Sequence, residues 1–552
     1  METITITFEN NEKREYQKGI KLEDIINDIK GEYEFDIICG MFKNEILNYS
    51  DTIMKSGKLY LYDINSKLGN RIYERGLIAL FKVTVLELFG KTTKVKIRHS
   101  IDKGIYCEID RKLTNDDIKV IKLKMMEKVN KGLPFTKIET SRMDALDYFR
   151  NMKRDDKVKT LFFNNNSYIS LYKFDGVYNY IIGSLPNDSS VLKYFDLTLL
   201  EDKGIILRFP SIYDNGKIVK YKHHEKYFNS LEEYAQWGSI LNINNIGDLN
   251  EKIINGEAGE IINLSEIVQD YKLLNIAETI SLNREDIKLI LISGPSSSGK
   301  TTTSKKISMY LKTLGLNPHY LSIDDYFLNR EDTPLNEDGT YDFESLRAID
   351  VKLFNSQIEK LLKGVKVTTP TFNFVTGKKT FKNTLQLKEN DVLVIEGLHA
   401  LSSEILTDIP KKNKYKIYIS PLAYLNVDDD NRISITDIRL LRRMVRDNRT
   451  RGYKPSDTLK QWSDVRRGEE KYVFPYQDEA DVIFNSYLAY ELGVLKTYLE
   501  PLLFSVKEDD PEYQTALNLI NLLDIVLPIP GDDVPQLSIL REFIGGSYFD
   551  KK

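Results

Sequence analysis

The spacing of apolar residues changes character near residue 286. Beyond it, short apolar runs ("IKLILIS", "HYLSI", "VLVIEG", "YKIYIS", "ADVIF") alternate with longer amphipathic stretches. Runs that short and that uniformly apolar are buried on both faces, so they predict a parallel sheet covered by helices on either side. In such sheets ligands bind beyond the carboxyl ends of the strands. The chain before residue 286 reads differently. "METITITFEN" alternates as a strand, "LEDIINDI" has helical spacing, and "FDIICGMF" and "GKLYLYD" are short strands. In "LTNDDIKVIKLKMMEKVNKG", Thr114 opens a helix with acids in its first turn, Ile118, Ile121 and Met125 share a face, and Gly132 closes it. "KTLFFNNNSYISLYKF" predicts a hairpin across a polar asparagine turn. "LSEIVQDYKLLNIAETI" predicts a helix. The expected units are 1–66, a small α+β unit; 67–240, a second α+β unit; 241–285, a helical connector; and 286–552, an α/β unit. No internal repeat or low-complexity segment interrupts them.

Composition narrows this only slightly. The chain has 552 residues, 41% of them hydrophobic, and a formal net charge of −4, which fits several domains and gives no global attraction to nucleic acid or membrane. The 2 cysteines, Cys39 and Cys107, do not make a disulfide scaffold. The most apolar stretch, "LIALFKVTVLELF", is short and carries Lys82 and Glu87, so it reads as a core element rather than a membrane span. The first ten residues lack the pattern of a signal peptide. The expectation is a cytoplasmic protein with no membrane contact.

The candidate chemistry begins at "GPSSSGKTTTSKK". Residues 294–301 fit G-x-x-x-x-G-K-[ST], placed between a buried strand and a helix as that motif requires. Its glycines let successive N–H groups turn inward around a phosphate, and the following helix adds its N-terminal dipole. Gly294, Ser296, Ser297, Ser298, Gly299, Lys300, Thr301 and Thr302 are therefore expected to bind phosphate. Lys300 would neutralise the outer phosphates, and the Thr301 hydroxyl would ligate Mg²⁺.

Three further stretches extend this site. "LSIDDYF" sets Asp324 and Asp325 just past a strand; read as extended, only one of the pair faces a nucleotide and takes the proton of an acceptor hydroxyl. "VLVIEGLHA" ends a strand on Glu396, suited to hold Mg²⁺ opposite Thr301, while His399 gets no role. In "DIRLLRRMVRDNRTRG", Arg439, Arg442, Arg443 and Arg446 fall on one helical face, expected to close over phosphates.

Together these stretches, over roughly residues 286–490, resemble the uridine kinase and phosphoribulokinase family of P-loop kinases. The resemblance implies ATP as donor, Mg²⁺, and phosphoryl transfer to the 5′-hydroxyl of a nucleoside. It implies Asp324 as catalytic base, Glu396 as the Mg²⁺-linked acid, and Asp342 in "YDFESLRAID" as the holder of ribose hydroxyls. Arg439 would face ribose, and Arg442 or Arg443 phosphate. "PTFNFVTGKK" resembles the pyrimidine-pocket loop, with Phe372 and Phe374 in the substrate site. Phe372 and Gly377 stand where uridine kinases carry a tyrosine and a histidine that read the base edge. Losing those polar readers lowers discrimination between bases, so the expected substrate is uridine, cytidine or a broader set of nucleosides.

The N-terminal half has its own resemblance. Residues 1–64 resemble a TGS domain, a β-grasp module. The stretch 70–240, clearest in "HSIDKGIYCEIDRKLTNDDIKVIKLKMMEKVNKGLPFTKIE", resembles the second domain of threonyl-tRNA synthetases. Its H-x-x-x-H and cysteine/histidine pairs are missing: His223 and His224 are adjacent, and His99 and Cys107 fall elsewhere. The half is thus expected to be a scaffold without editing chemistry, contacting RNA or a regulator or purely structural. The competing readings of the whole chain are an RNA-binding regulator with a nucleotide switch and a tRNA-editing hydrolase.

Overall fold

The computed structural model describes residues 2–550 apart from 336–338, 340, 374 and 375. At the N-terminus, strands at 3–7, 13–17, 39–42, 45–47 and 57–62 form one five-stranded sheet, crossed by helix Leu22–Ile29. Ile4, Ile6, Leu22, Ile25 and Leu59 fill the space between them. The alternation of "TITIT" turns Ile4 and Ile6 inward and their threonine neighbours outward.

Helix α1, Lys67–Phe89, opens the next layer; the Ser66 side chain caps it by accepting from Gly69 N. It packs on helix Asn115–Lys131 and on a four-stranded antiparallel sheet formed by 95–101, 104–109, 196–200 and 204–208. The 115–131 helix starts and stops where its sequence predicts. Thr114 and Asp117 form a reciprocal capping box, and Gly132 takes a left-handed φ of 60°.

The expected hairpin at 159–174 does not form. Asp155–Phe162 is a helix, and only Tyr168–Phe174 is a strand, paired with Thr136–Ser141 and Val177–Asn179. The reason is long-range. Leu161 packs on Leu146 and Phe149 of the preceding helix, and Lys157 reaches carboxylates near residue 430. Neither partner is visible in the local pattern.

The third layer is the parallel sheet. Its strands are β1 (Leu289–Ser293), β2 (Asn317–Ser322), β3 (Asp391–Glu396), β4 (Lys414–Ser420) and β5 (Val482–Asn485). They lie in the order β2-β3-β1-β4-β5, every pair parallel. Helix α2, Lys300–Thr313, follows β1; α3, Ile435–Arg451, and α4, Pro455–Tyr472, follow β4. The helix at 258–282 packs Ile261, Ile262 and Ile276 into the same core as Ile290, Ile292 and Val394, so it is one cover of the sheet.

The segment from β4 to α3 joins the two halves. Asp428 and Asp430 are fully buried there and meet Lys82 of α1, Arg154 and Lys157. Lys157 lies 2.9 Å from Asp428 and 3.0 Å from Asp430. Burial alone would favour the neutral acid, but these cations hold the Asp430 carboxyl well below the usual range. Asn426 adds neutral bonds, its amide donating to the carbonyls of Ile97 and Arg98 at 2.9 and 2.8 Å. Removing one member of such a buried cluster leaves uncompensated charge, at a cost of about 3–5 kcal/mol. Asp430→Asn is accordingly expected to lower the thermal midpoint and to expose the junction to limited proteolysis; an unchanged melt and digestion pattern would contradict this role.

Candidate active site

The phosphate loop runs from the end of β1 to the start of α2, near the point where the strand order reverses. Two glycines are required by geometry. A Cβ on Gly294 would stand 2.0 Å from the Ile419 carbonyl oxygen, so only glycine lets the loop leave β1 against β4. Gly299 has a left-handed φ of 86°, and Ser297 has a φ of 60°. Lys300 folds back over the loop, its Nζ donating to the carbonyls of Gly294 at 2.8 Å and Pro295 at 3.1 Å.

Around Lys300 the adjacent strand ends supply carboxylates. Glu396, the last residue of β3, accepts from Thr301 Oγ1 at 3.4 Å and from the Tyr320 hydroxyl of β2 at 2.8 Å. Asp324 and Asp325 lie in a short 3₁₀ turn, Ile323–Tyr326, rather than in extended chain. They still diverge: Asp325 accepts from Phe372 N at 3.1 Å, while Asp324 lies within the field of Lys300. Burial pushes Asp324 above the usual aspartate range, with Lys300 opposing it. Burial and the neighbouring Asp324 push Glu396 up to about 7, again against Lys300. Glu344, which sequence reasoning passed over, is raised to about 7 by burial and by Glu469. An oxygen-only group with acids this reluctant to ionise is suited to a hard cation, since added positive charge would restore their carboxylate forms.

The arginines of α3 are placed otherwise than a solvated basic face would place them. Arg442 is fully buried, donating to both oxygens of Glu491 and to the Ser486 carbonyl, with a longer contact of 3.4 Å to the Ser297 carbonyl. It braces the loop from behind. Arg443 reaches the loop itself, NH1 donating to Ser296 Oγ at 2.8 Å. Arg439, 1% exposed, pairs with Glu469 and lies 5.2 Å from the Trp462 ring. No expected lid motion is needed to bring Arg443 to the loop. Asp342 accepts from the Tyr472 hydroxyl at 3.3 Å, Phe372 packs near Phe327, and Phe374 lies outside the described residues. His399 is buried and pushed down to about 4, so it stays neutral.

Two carboxylates engage the loop's own amides. Glu469 Oε1 accepts from Ser296 N at 2.8 Å. Glu542, from the returning C-terminal segment, accepts from Thr302 N at 3.1 Å and Thr302 Oγ1 at 2.8 Å. Ile539 of the same segment lies over Gly299. An anion at that helix terminus meets aligned N–H groups and the dipole, as a phosphate would. Glu542 lies about 240 residues from its partner, and nothing in the local sequence marks it.

His99, Cys107 and His224 form no common site. His99 is buried beside Tyr106, 5.4 Å between rings, and pushed down to about 3 by burial; the Cys107 thiol is buried and pushed up. His224 pairs with Asp478 at 2.7 Å. Among the described residues, the one cluster of metal-ligating type is Asp156, Asp428 and Asp430, and Arg154 and Lys157 already neutralise it.

A phosphate loop, a parallel sheet ordered 2-3-1-4-5 and carboxylates at the adjacent strand ends define a P-loop kinase-type domain. Residues 289–491 match the model of the Phosphoribulokinase / Uridine kinase family. A 196-residue stretch is 29% identical to the uridine kinase of Staphylococcus aureus strain JH9, covering 35% of this chain and 86% of that protein. In the N-terminal region, 173 residues are 28% identical to the threonine–tRNA ligase of Ehrlichia chaffeensis, covering 31% of this chain. The match spans 27% of the ligase. Among solved structures, one described as a possible uridine kinase from Bacillus stearothermophilus is 20% identical over 36% of this chain and 89% of its own, with a TM-score of 0.22. No helix among the described residues is long and apolar enough to cross a membrane.

Two outcomes follow from this geometry. Glu542→Ala, which frees the Thr302 amide, is expected to tighten ATP binding about tenfold, or about 1.4 kcal/mol; an unaltered affinity by calorimetry would show that the carboxylate does not compete. His99 is held neutral at a pKa of about 3 against a free value of 6.5, so the unfolded chain binds the extra proton between those values. Stability is thus complete above pH 6.5 and falls as the pH drops, by up to about 1.4 kcal/mol per unit from this group. His99→Phe should flatten the dependence of the melting temperature between pH 7 and 5, and an equally steep dependence in the variant would refute the assignment.

Proposed function

We propose that the C-terminal domain transfers the γ-phosphoryl group of ATP to the 5′-hydroxyl of a nucleoside. The observation that carries this reading is the convergence of Lys300, Glu396 and Asp324 from three neighbouring strands onto one buried, electrostatically coupled site. The donor end of that site is a loop of inward amides; the acceptor end is a carboxylate with an elevated pKa. A hydroxyl must lose its proton as its oxygen attacks phosphorus, and a carboxylate of raised pKa is the stronger base for it.

In this reading the acceptor oxygen forms a bond to the γ-phosphorus while the bond to the β–γ bridging oxygen breaks. Asp324 orients the hydroxyl and takes its proton, and ADP departs with the bridging oxygen. Lys300 leaves the Gly294 and Pro295 carbonyls to lie along the outer phosphates, and Arg443 faces the transferring group from across Ser296. Thr301 and Glu396 would hold Mg²⁺, which would supply positive charge against that of the phosphates. In the same reading Asp342 would hold ribose hydroxyls, and Phe372 would stack on a base without reading its polar edge. That supports a nucleoside acceptor with relaxed base choice, uridine and cytidine included. The arrangement works by positioning and charge neutralisation, which suit a loose transition state.

Asp324→Asn is expected to lower nucleoside-dependent ADP formation by about a hundredfold or more while leaving ATP affinity within a fewfold of the parent. Turnover at the parental rate would remove Asp324 as the base, and ADP formation independent of any added nucleoside would remove the kinase reading.

A further inference from the structure

A large cavity lies away from the phosphate loop. It occupies about 1220 Å³ between α1 and the segments around α3 and α4, so both halves of the chain line it. Neither the loop residues nor Asp324 nor Glu396 contribute to its wall. The size exceeds what one mononucleotide needs, ligand sites running from about 300 to 1,000 Å³.

One wall is cationic by helical spacing. Lys67, Arg71 and Arg75 recur every fourth residue along α1 and all face the cavity. Arg71 is engaged by Asp437 of α3. Lys67 and Arg75 have no carboxylate within ion-pair distance among the described residues. Burial and the charge of Arg71 lower both below their ordinary values, Arg75 to about 10. Two partly buried cations that repel a third are a cost to the fold, and only carboxylates beyond ion-pair distance, Glu74, Asp437 and Glu512, act against it. Gly183 makes the space for one of them: a Cβ there would stand 2.6 Å from the Arg75 guanidinium carbon.

The opposite wall has donors without acceptors. Arg439 Nε, Trp462 Nε1 and Arg466 Nε are buried and make no hydrogen bond. Buried donors of this kind are rarely left unmatched. Acidic residues do line the cavity, but Glu74, Asp214, Asp430, Asp437 and Glu470 each already face a cation of the wall or its surroundings. Tyr213 and Tyr227 also line the cavity, with the Arg466 guanidinium 5.5 Å from the Tyr213 ring. Unpaired cations on one side and aromatic faces beside them select an anion that carries a flat apolar portion; guanidinium and ammonium groups together suit phosphate.

We propose that this interdomain cavity is a second binding site, for a phosphorylated nucleotide, distinct from the phosphate loop. Lys67 and Arg75 take the phosphate, and the aromatic side takes the base. The proposal does not rest on the kinase reading, because the site can be tested with the loop disabled.

The test is a calorimetric titration of the full chain carrying Lys300→Ala with UMP, with uridine and with inorganic pyrophosphate. One equivalent of UMP is expected to bind, at least tenfold tighter than uridine and tighter than pyrophosphate. Adding Arg75→Glu should weaken UMP about tenfold or more, and Lys67→Gln severalfold. Hydrogen exchange supplies a readout free of cavity mutations: UMP should protect amides of 67–78 and 462–467 in the Lys300→Ala chain. The proposal is overturned if UMP at about 1 mM neither binds nor protects those segments, if uridine or pyrophosphate binds as tightly as UMP, or if both cavity variants bind UMP like their parent. Loss of ATP binding on Lys300→Ala would bear on the loop alone, so failure of the two readings can be told apart.

Discussion

Asp428 and Asp430 are buried, and the placement of the two halves depends on how that is tolerated. Their charges are met by Lys82, Arg154 and Lys157, which come from two places in the N-terminal half, α1 and the start of the 155–162 helix. The carboxylates come from the segment that links the last central strand to α3. Neither side can remain ionised in an apolar interior without the other. The charges therefore set the separation of the halves, and with it the height of the cavity between them and the placement of α3 beside the phosphate loop. Hydrophobic burial would allow many registers here; five charges meeting within hydrogen-bond reach allow very few.

Much of the architecture was legible wherever the cause was local. The phosphate loop follows from glycine at 294 and 299 and a lysine at a helix start. The 115–131 helix follows from Thr114, Asp117 and Gly132. The parallel sheet follows from five apolar runs. Causes that act across the chain were not legible. Lys157 looks like an ordinary charged residue just before the stretch read as a hairpin, yet its partner lies 271 residues away. The arginines at 439 and 442 read as part of a phosphate-facing stripe, yet Glu469 and Glu491 hold them in the interior. Asp324 and Asp325 diverge as expected, though a 3₁₀ turn achieves it rather than a pleat. Glu542 carried no sequence signal, because its only significance is where the chain end returns.

The phosphate site is notable for how much negative charge it gathers around one lysine. Asp324, Glu344, Glu396 and Glu469 crowd the same region, and three of them are pushed toward the neutral form. Such a site is unfavourable as it stands and becomes favourable when cations arrive with the ligand. Strain of this kind belongs in a binding site and would be selected against in a purely structural core.

The pairing of Arg439 with Glu469 also makes a bridge. Arg439 borders the interdomain cavity, and the other oxygen of Glu469 holds the amide of Ser296. A ligand that draws the guanidinium toward the cavity must alter the grip on that amide, and whatever displaces Glu469 from Ser296 must release the guanidinium. Free energy exchanged along such a path is the same in both directions. The fused architecture would then be a thermodynamic conversation between two compartments, with one carboxylate as its shared word.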